Sequence, residues 1–223
     1  NWTRAEPLRI TSISISREKG GWHFENDWLK YSFIDWYQSY LIKGQSIITL
    51  SHLFKRIIDI PLSEKLGRLS SDIKRIAYLA EVTADYTGLE DFPKYLALLF
   101  EIDALFLNDD RHLNNIALLE ENGKFDYCPI FDNGAGLLSN AQLSPMDIDP
   151  KALIPQALAR PFNISFNRQR NNVRKLYGNQ LIMPKLTKDD IAEKAAPLLE
   201  YYPERDRGLI LDRVTECILK GQK

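Results

Sequence analysis

The fold is decided by two stretches of sequence, Leu107-Asn108-Asp109-Asp110-Arg111-His112-Leu113-Asn114-Asn115 and Pro129-Ile130-Phe131-Asp132-Asn133-Gly134. Between them lie two short strand-like runs, residues 116–119 and 124–128, which are separated by Glu120-Glu121-Asn122-Gly123. An Asn-Gly pair between two such runs favours a type I′ hairpin turn, because both central residues of that turn need a positive φ. The pattern therefore predicts a β-hairpin that folds the chain back on itself.

The predicted turn brings three polar residues to the same end of the hairpin. With Asn122 and Gly123 at the turn centre, opposed residues have numbers that sum to 245, so Asp132 lies opposite the neighbourhood of Leu113 and Asn115. Asp110 precedes the first strand. An Asp, an Asn five positions later and a second Asp after a hairpin have the spacing of a kinase catalytic loop and its metal-binding Asp.

This combination of residues has a defined chemical use. One carboxylate can accept or orient the proton of an attacking hydroxyl group. An amide oxygen and a second carboxylate are hard oxygen ligands, which suit Mg²⁺ bound to nucleotide phosphates. Asp and Asn are also common at turns and helix caps for reasons unconnected with catalysis, and that simpler interpretation applies to each residue taken alone.

The stretch 102–112, with Asn115 and Pro129-Ile130-Phe131-Asp132, resembles the core of the HipA-like serine/threonine kinases. The resemblance covers residues 91–162 well and the flanking sequence weakly. It implies that Asp110 is the catalytic residue, that Asn115 and Asp132 bind the metal and the cofactor, and that the cofactors are ATP and Mg²⁺. Asn-Gly, and not Phe-Gly, follows Asp132, so no Phe switch is expected.

Two other functions stay open at this point. Phosphatidylinositol 3- and 4-kinases also carry Asp-Arg-His followed by Asn, so a lipid kinase is an alternative function. Neither a phosphate-covering glycine loop nor the strand lysine that binds the α- and β-phosphates can be identified, because Gly20 and Gly21 are better explained by a hairpin turn. A catalytically silent kinase-like binding module is therefore the alternative to an active enzyme.

Three further residues are expected to support the site. Asp103 is a carboxylate within the apolar stretch 98–107. A buried carboxylate is costly without partners, so we expect Asp103 to pair with Arg111 or with amides of the following loop. His112 is expected to be a structural histidine that hydrogen-bonds the backbone and holds the turn, because Asp110 is better placed for general-base chemistry.

Composition restricts the function classes. The 223 residues include 29 Lys and Arg against 30 Asp and Glu, a balance that argues against a dedicated nucleic-acid binder. Cys128 and Cys217 lie far apart in apolar contexts without a nearby His, so we expect buried thiols in a reducing, cytoplasmic location and no zinc site. No apolar run is long enough to cross a bilayer, and no secretory signal is visible. The chain begins at Asn1, which suggests a fragment or a processed product.

Periodicity predicts the remaining elements. We expect a strand over residues 8–16 that pairs with residues 22–24, an aromatic-rich helix over 26–42, and a short helix that begins after Thr49 or Ser51. Longer helices are predicted from Ser71 to Gly88 and from Asp91 to residue 106. Residues 133–165 are predicted to form a long loop in which Ser139 and Ser144 have exposed hydroxyl groups. A basic amphipathic helix at 166–177 and two C-terminal helices follow.

The fold class predicted by these elements is α+β, predominantly helical, like the C-terminal lobe of a protein kinase with a catalytic β-hairpin. Residues 1–60 are expected to form a partial N-terminal or hinge region, and residues 61–223 a kinase-like C-lobe. Since kinases bind ATP between two lobes, the partner is expected to be a missing N-lobe on another chain or upstream, or by family resemblance a helix-turn-helix antitoxin. The protein that receives the phosphate is not identified by the sequence.

Overall fold

The computed structural model describes residues 12–18, 21–25 and 45–223. The predicted aromatic helix at 26–42, the first residues of the predicted strand at 8–16 and the turn around Gly20 lie outside the described residues. Among the described elements the fold is mixed, mainly helical with antiparallel strands. The predicted α+β, helix-rich class is therefore confirmed at this level, and the kinase-like lobe stays a prediction.

The strands form two three-stranded antiparallel sheets. Strand β1 (Ser12–Glu18) pairs with β2 (Gly21–Glu25), as predicted, and its other edge pairs with β6 (Ile130–Phe131). The second sheet has the order β3-β4-β5, with bounds Ser46–Thr49, Ala117–Glu121 and Lys124–Tyr127. The β1–β6 pairing matters for the site because β6 leads directly into Asp132.

The hairpin formed by β4 and β5 has the register that Asn122-Gly123 predicts. Glu121 pairs with Lys124, and Leu118 pairs with Tyr127. Asn122 and Gly123 have φ values of 51° and 75°, the left-handed backbone that a type I′ turn needs. The hairpin prediction is confirmed, including which residues face each other across the ladder.

The helices follow the capping signals in the sequence. Ser71 caps the N-terminus of one helix through its side chain, and Gly88 ends that helix in the left-handed conformation. Thr187 and Asp190 form a complete capping box. The helices are α1 (Leu50–Ile57), α2 (Leu62–Gly67), α3 (Asp72–Thr87), α4 (Phe92–Phe106), α5 (Pro150–Leu153), α6 (Phe166–Tyr177), α7 (Lys188–Leu199) and α8 (Glu204–Gly221).

Helix α4 is the centre of the core. It is apolar around most of its circumference, and its residues from Tyr95 to Leu105 are buried. Helices α3, α6 and α8 pack against it. The contact with α8 is so close that a Cβ at Gly221 would overlap the Leu105 carbonyl oxygen and lie 2.6 Å from the Ala104 carbonyl oxygen. Because α4 is held on several sides, the loop that leaves its C-terminus starts from a fixed point.

The segment after Asp132 differs from the predicted open loop. It contains α5 and a 3₁₀ turn, Ile154–Gln156. Arg213 of α8 is buried and donates hydrogen bonds to the carbonyl oxygens of Leu138, Ser144 and Pro145 at 3.1, 2.7 and 2.6 Å. Ser144 is itself buried, so the expectation of an exposed hydroxyl there is wrong. A long-range anchor on α8, which no local pattern signals, holds this segment on the core.

The arginines of the basic helix α6 bind groups on neighbouring helices of the same chain. Arg170 is buried and donates to the Gly221 carbonyl oxygen at 2.6 Å. Arg174 pairs with the buried Glu101 of α4, and Arg168 pairs with Asp72 of α3 at 2.6 Å. The expected solvated basic face is therefore wrong for the buried Arg170, whereas the Arg168 side chain is 63% exposed and stays on that face. All three arginines tie α6 to its neighbours.

The boundary between residues 1–60 and 61–223 stays a prediction. Within the described residues, β3 and α1 are joined to the hairpin region, since Leu50 N–H donates to the Ile116 carbonyl oxygen at 2.8 Å. In the part of the chain that the structure describes, no helix is both long enough and apolar enough to cross a membrane.

Candidate active site

The predicted catalytic loop leaves the C-terminus of α4. Leu107 ends the helix in the left-handed conformation, with φ of 52°, and its N–H still donates to the Asp103 carbonyl oxygen. The N–H of Asn108 donates to the same carbonyl oxygen at 2.9 Å. The reversal at Leu107 sends the chain back towards α4, so that the side chains of the loop can reach Asp103.

Asp103 and Arg111 form a buried ion pair at the base of this loop. Their side chains are 1% and 0% exposed. The Arg111 Nε and Nη2 atoms donate to the Asp103 carboxylate at 3.0 Å each, and Asn108 Nδ2 donates to it at 2.9 Å. The pairing predicted for Asp103 is confirmed. Burial raises the pKa of the Asp103 carboxyl, while the charge and hydrogen bonds of Arg111 act to lower it.

The same guanidinium joins the two predicted ends of the hairpin. Arg111 Nη1 donates to the Asn115 carbonyl oxygen at 2.9 Å and to the Phe131 carbonyl oxygen at 2.6 Å, and Nη2 donates to Asn133 Oδ1. The main-chain oxygens of Asn115 and Phe131 and the side-chain oxygen of Asn133 therefore meet at one buried cation. This cation and the hairpin register together hold Asn115 close to the chain that flanks Asp132.

Asp110 lies in a turn that is closed by its own carbonyl oxygen. That oxygen accepts hydrogen bonds from the His112 N–H at 2.8 Å and from Asn115 Nδ2 at 2.9 Å. The Asp110 side chain is 48% exposed, so its carboxylate is open to solvent. Because Asn115 donates through its nitrogen, the orientation of its amide is set and its Oδ1 is the atom left for a cation.

His112 differs in part from its predicted role. It holds the turn through its main-chain N–H, but its ring Nδ1 is buried and has no hydrogen-bond partner in the described structure. The other ring nitrogen, Nε2, lies 4.0 Å from Asp110 Oδ2. The predicted contact between the ring and the backbone is therefore not made, and the imidazole lies beside the Asp110 carboxylate instead.

Asp132 has an unusual backbone. Its φ is 54°, and its side chain is exposed, while its neighbours Phe131 and Asn133 are buried. A left-handed conformation at a residue other than glycine is uncommon, but Asp adopts it more readily than most residues, and five other non-glycine residues of the described chain share it. Here the Arg111 hydrogen bonds to both neighbours over-determine the conformation, so that the carboxylate is presented at the surface from a rigid support.

Sequence reasoning missed two residues of the site. Asn133 is buried, accepts from Arg111, and has an Nδ2 without a partner among the described residues. Asp109 is half-buried; burial raises the pKa of its carboxyl, and the adjacent Asp110 carboxylate raises it further. The signal for Asp109 was the doubled Asp, and the signal for Asn133 was its position directly after Asp132.

The predicted Mg²⁺ ligands here are one side-chain amide oxygen, on Asn115, and one carboxylate, on Asp132. Among the described residues, no group of three or more His, Cys, Asp and Glu side chains is arranged to bind a metal ion by itself. A site made of one amide oxygen and one carboxylate needs the phosphate oxygens of a nucleotide to complete the coordination shell of the ion. Asn115 and Asp132 can supply those two protein ligands.

No protein-family model matches the chain, and neither a similar curated protein nor a similar solved structure was found. The resemblance to the HipA-like kinases therefore stays a prediction from the residues quoted above.

Proposed function

We propose that the protein is a phosphotransferase of the HipA-like kinase type, which transfers the γ-phosphate of ATP to a serine or threonine of a protein. The observation that carries the proposal is the set of hydrogen bonds made by Arg111. One buried guanidinium donates to the main-chain oxygens of Asn115 and Phe131 and to the side-chain oxygen of Asn133, and it lies next in sequence to Asp110. These bonds hold the main chain of Asn115 close to the residues that flank Asp132, which supports a shared site for the two side chains.

The roles follow from exposure and orientation. The exposed Asp110 carboxylate accepts or orients the proton of the substrate hydroxyl. Asn115 and Asp132 hold Mg²⁺, which neutralises charge on the nucleotide phosphates when ATP is bound. Asp103 and Arg111 position the loop without touching substrate. His112 lies near enough to Asp110 to influence the orientation of its carboxylate.

The proposal includes a second lobe. Kinases bind ATP between two lobes, and one of them provides a strand lysine for the α- and β-phosphates, which the sequence of this chain does not supply in recognisable form. Strand β1 pairs with β6 beside Asp132, which suits a chain that enters from such a lobe. We infer that full turnover needs that lobe, either from additional sequence or from a partner chain.

The test is phosphate transfer from radiolabelled ATP in the protein combined with its second lobe. Replacing Asp110 by alanine is expected to lower the rate by about 10²–10⁴-fold, the usual contribution of a general base. Asp85→Ala, an exposed carboxylate on α3, is the matched control and should leave the rate unchanged. Equal rates for Asp110→Ala and the parent would refute the assignment.

A kinase-like binding module without catalysis is the second candidate. The absence of a recognisable glycine loop and strand lysine from the sequence favours it. This candidate predicts a stable partner protein and no phosphate transfer in any combination of chains. Efficient transfer that depends on Asp110 would exclude it.

A further inference from the structure

A groove of about 660 Å³ lies away from the predicted catalytic loop, on the surface formed by residues 146–151, the first turn of α7 and helix α8. Its wall includes Arg213, the residue that holds the segment after Asp132 on the core. The groove is therefore built on an anchored segment and two helices. A cavity of this volume is in the range of surfaces that bind small ligands or short peptide segments.

The groove has an apolar surface that the fold does not cover within the described residues. Met146, Ile148 and Leu209 line it and are 36%, 41% and 53% exposed. Large apolar side chains that are exposed singly are ordinary, but three that line one groove are a feature of interaction sites. The shape and the apolar lining indicate a partner that inserts apolar side chains.

The rim of the groove is acidic. Five carboxylates and three basic groups line it, a formal excess of two negative charges. The exposed carboxylates of Asp147, Asp189 and Asp212 make no ion pair within 4 Å in the part of the chain that is described. Asp189 and Asp212 are therefore available to a partner, while Asp147 also interacts electrostatically with Arg213.

Two of the three basic groups are already engaged. Lys151 lies 3.6 Å from Glu216, and the Arg213 guanidinium is buried against the carbonyl oxygens of the anchored segment. Lys188 is the remaining cation on the rim. The electrostatic field that a ligand meets in the groove is therefore negative, which disfavours nucleotides, nucleic acids and acidic peptides.

We propose that this groove binds a peptide segment in which apolar side chains alternate with lysine or arginine. The apolar side chains contact Met146, Ile148 and Leu209, and the cations lie against the carboxylates of Asp147 and Asp212. The claim does not depend on phosphate transfer, because none of these residues belongs to the Asp110, Asn115 and Asp132 site.

The test is fluorescence anisotropy with a labelled twelve-residue peptide that alternates leucine and arginine, titrated with the full chain. A second labelled peptide of the same length, with glutamate in place of arginine, is the control for the charge of the peptide. The basic peptide is expected to bind, with an affinity that falls as salt is raised from 50 to 300 mM, as screening of exposed charges requires. The glutamate peptide is expected not to bind.

Variants then locate the site. Asp147→Asn combined with Asp212→Asn should raise the Kd by about five- to twentyfold, the effect of two rim charges. Leu209→Ser should weaken binding without affecting folding, because Leu209 is exposed. The control for charge is Asp85→Asn combined with Glu90→Gln, two exposed carboxylates outside the groove.

Three results would overturn the proposal. The first is an equal loss of affinity in the control pair, which would mean attraction to net charge alone. The second is the absence of binding by the basic peptide, or equal binding of both peptides. The third is a dimer in sedimentation experiments that the Leu209→Ser variant dissociates and that excludes the peptide, since a second copy of the chain would then occupy the groove.

Discussion

Replacing Asp103 by asparagine leaves the Arg111 guanidinium buried without its carboxylate partner. The Arg111 side chain is fully buried, and three of its hydrogen bonds end on Asp103 oxygens at 3.0, 3.0 and 3.2 Å. The remaining acceptors are the carbonyl oxygens of Asn115 and Phe131 and the side-chain oxygen of Asn133, all of which are neutral. The buried positive charge is then uncompensated.

Breaking one partner of a buried pair costs about 3–5 kcal/mol, since the surviving charge stays desolvated. Asparagine keeps one oxygen that can accept from Arg111, so we expect the lower end, about 3 kcal/mol. For a chain of this length that corresponds to a fall of about 6–12 °C in Tm. Urea unfolding followed by circular dichroism measures the free energy directly, and calorimetry measures the Tm.

The matched control is Glu64→Gln, which makes the same chemical change in the exposed pair between Glu64 and Arg68. These side chains are 49% and 63% exposed, and such pairs contribute about 0–1 kcal/mol. If Asp103→Asn cost no more than Glu64→Gln, the buried network would not hold the loop and the reasoning would be refuted. The double variant Asp103→Leu with Arg111→Met removes both charges but leaves the buried oxygens of Asn115 and Phe131 without their donor, so it should not restore the stability of the parent.

Two further predictions concern packing and thiol chemistry. Gly221→Ala should destabilise the protein by about 1–3 kcal/mol or more, because its Cβ would press on the carbonyl groups of α4. Gly208→Ala, on the same helix but with open space around it, should stabilise the protein by about 0.5–1 kcal/mol. Chemical denaturation of both variants tests the pair, and equal effects would contradict the close approach of Gly221 to α4. Burial raises the pKa of the Cys128 and Cys217 thiols to about 12, so few thiolates exist at pH 8. Neither cysteine should therefore react with a thiol reagent in the native protein, and both should react after unfolding. Rapid labelling of the native protein would contradict this prediction, because it would show that the thiols are accessible.

Local chemistry made part of the fold predictable. Asn122-Gly123 allows a type I′ turn with one register, and the observed pairing of Glu121 with Lys124 follows from it. Ser71 and Gly88 signalled both ends of α3 through capping and positive φ. Asp103 was predictable as a partner of Arg111 because a carboxylate in an apolar helix must be neutralised nearby.

The features that escaped prediction depend on distant residues. Arg213 holds Ser144 across 69 positions of sequence, and no local pattern connects a cation on the last helix with the carbonyl groups of a loop. Arg170 and Arg174 of α6 looked like a solvated basic face, since periodicity shows which residues share a face and not what lies opposite them. The positive φ of Asp132 is likewise imposed by hydrogen bonds to its neighbours.

The measurement that tests the central claim most directly is nuclear magnetic resonance with Mn²⁺·ATP. Bound Mn²⁺ broadens signals of nearby groups, so the side-chain amide of Asn115 and the main-chain amide of Asp132 are the reporters, with Mg²⁺·ATP as the diamagnetic reference. We predict selective broadening of these two signals that is lost in Asp132→Asn and kept in Asp85→Asn. Broadening elsewhere, or broadening that survives in Asp132→Asn, would contradict the assignment of this site to metal-bound nucleotide.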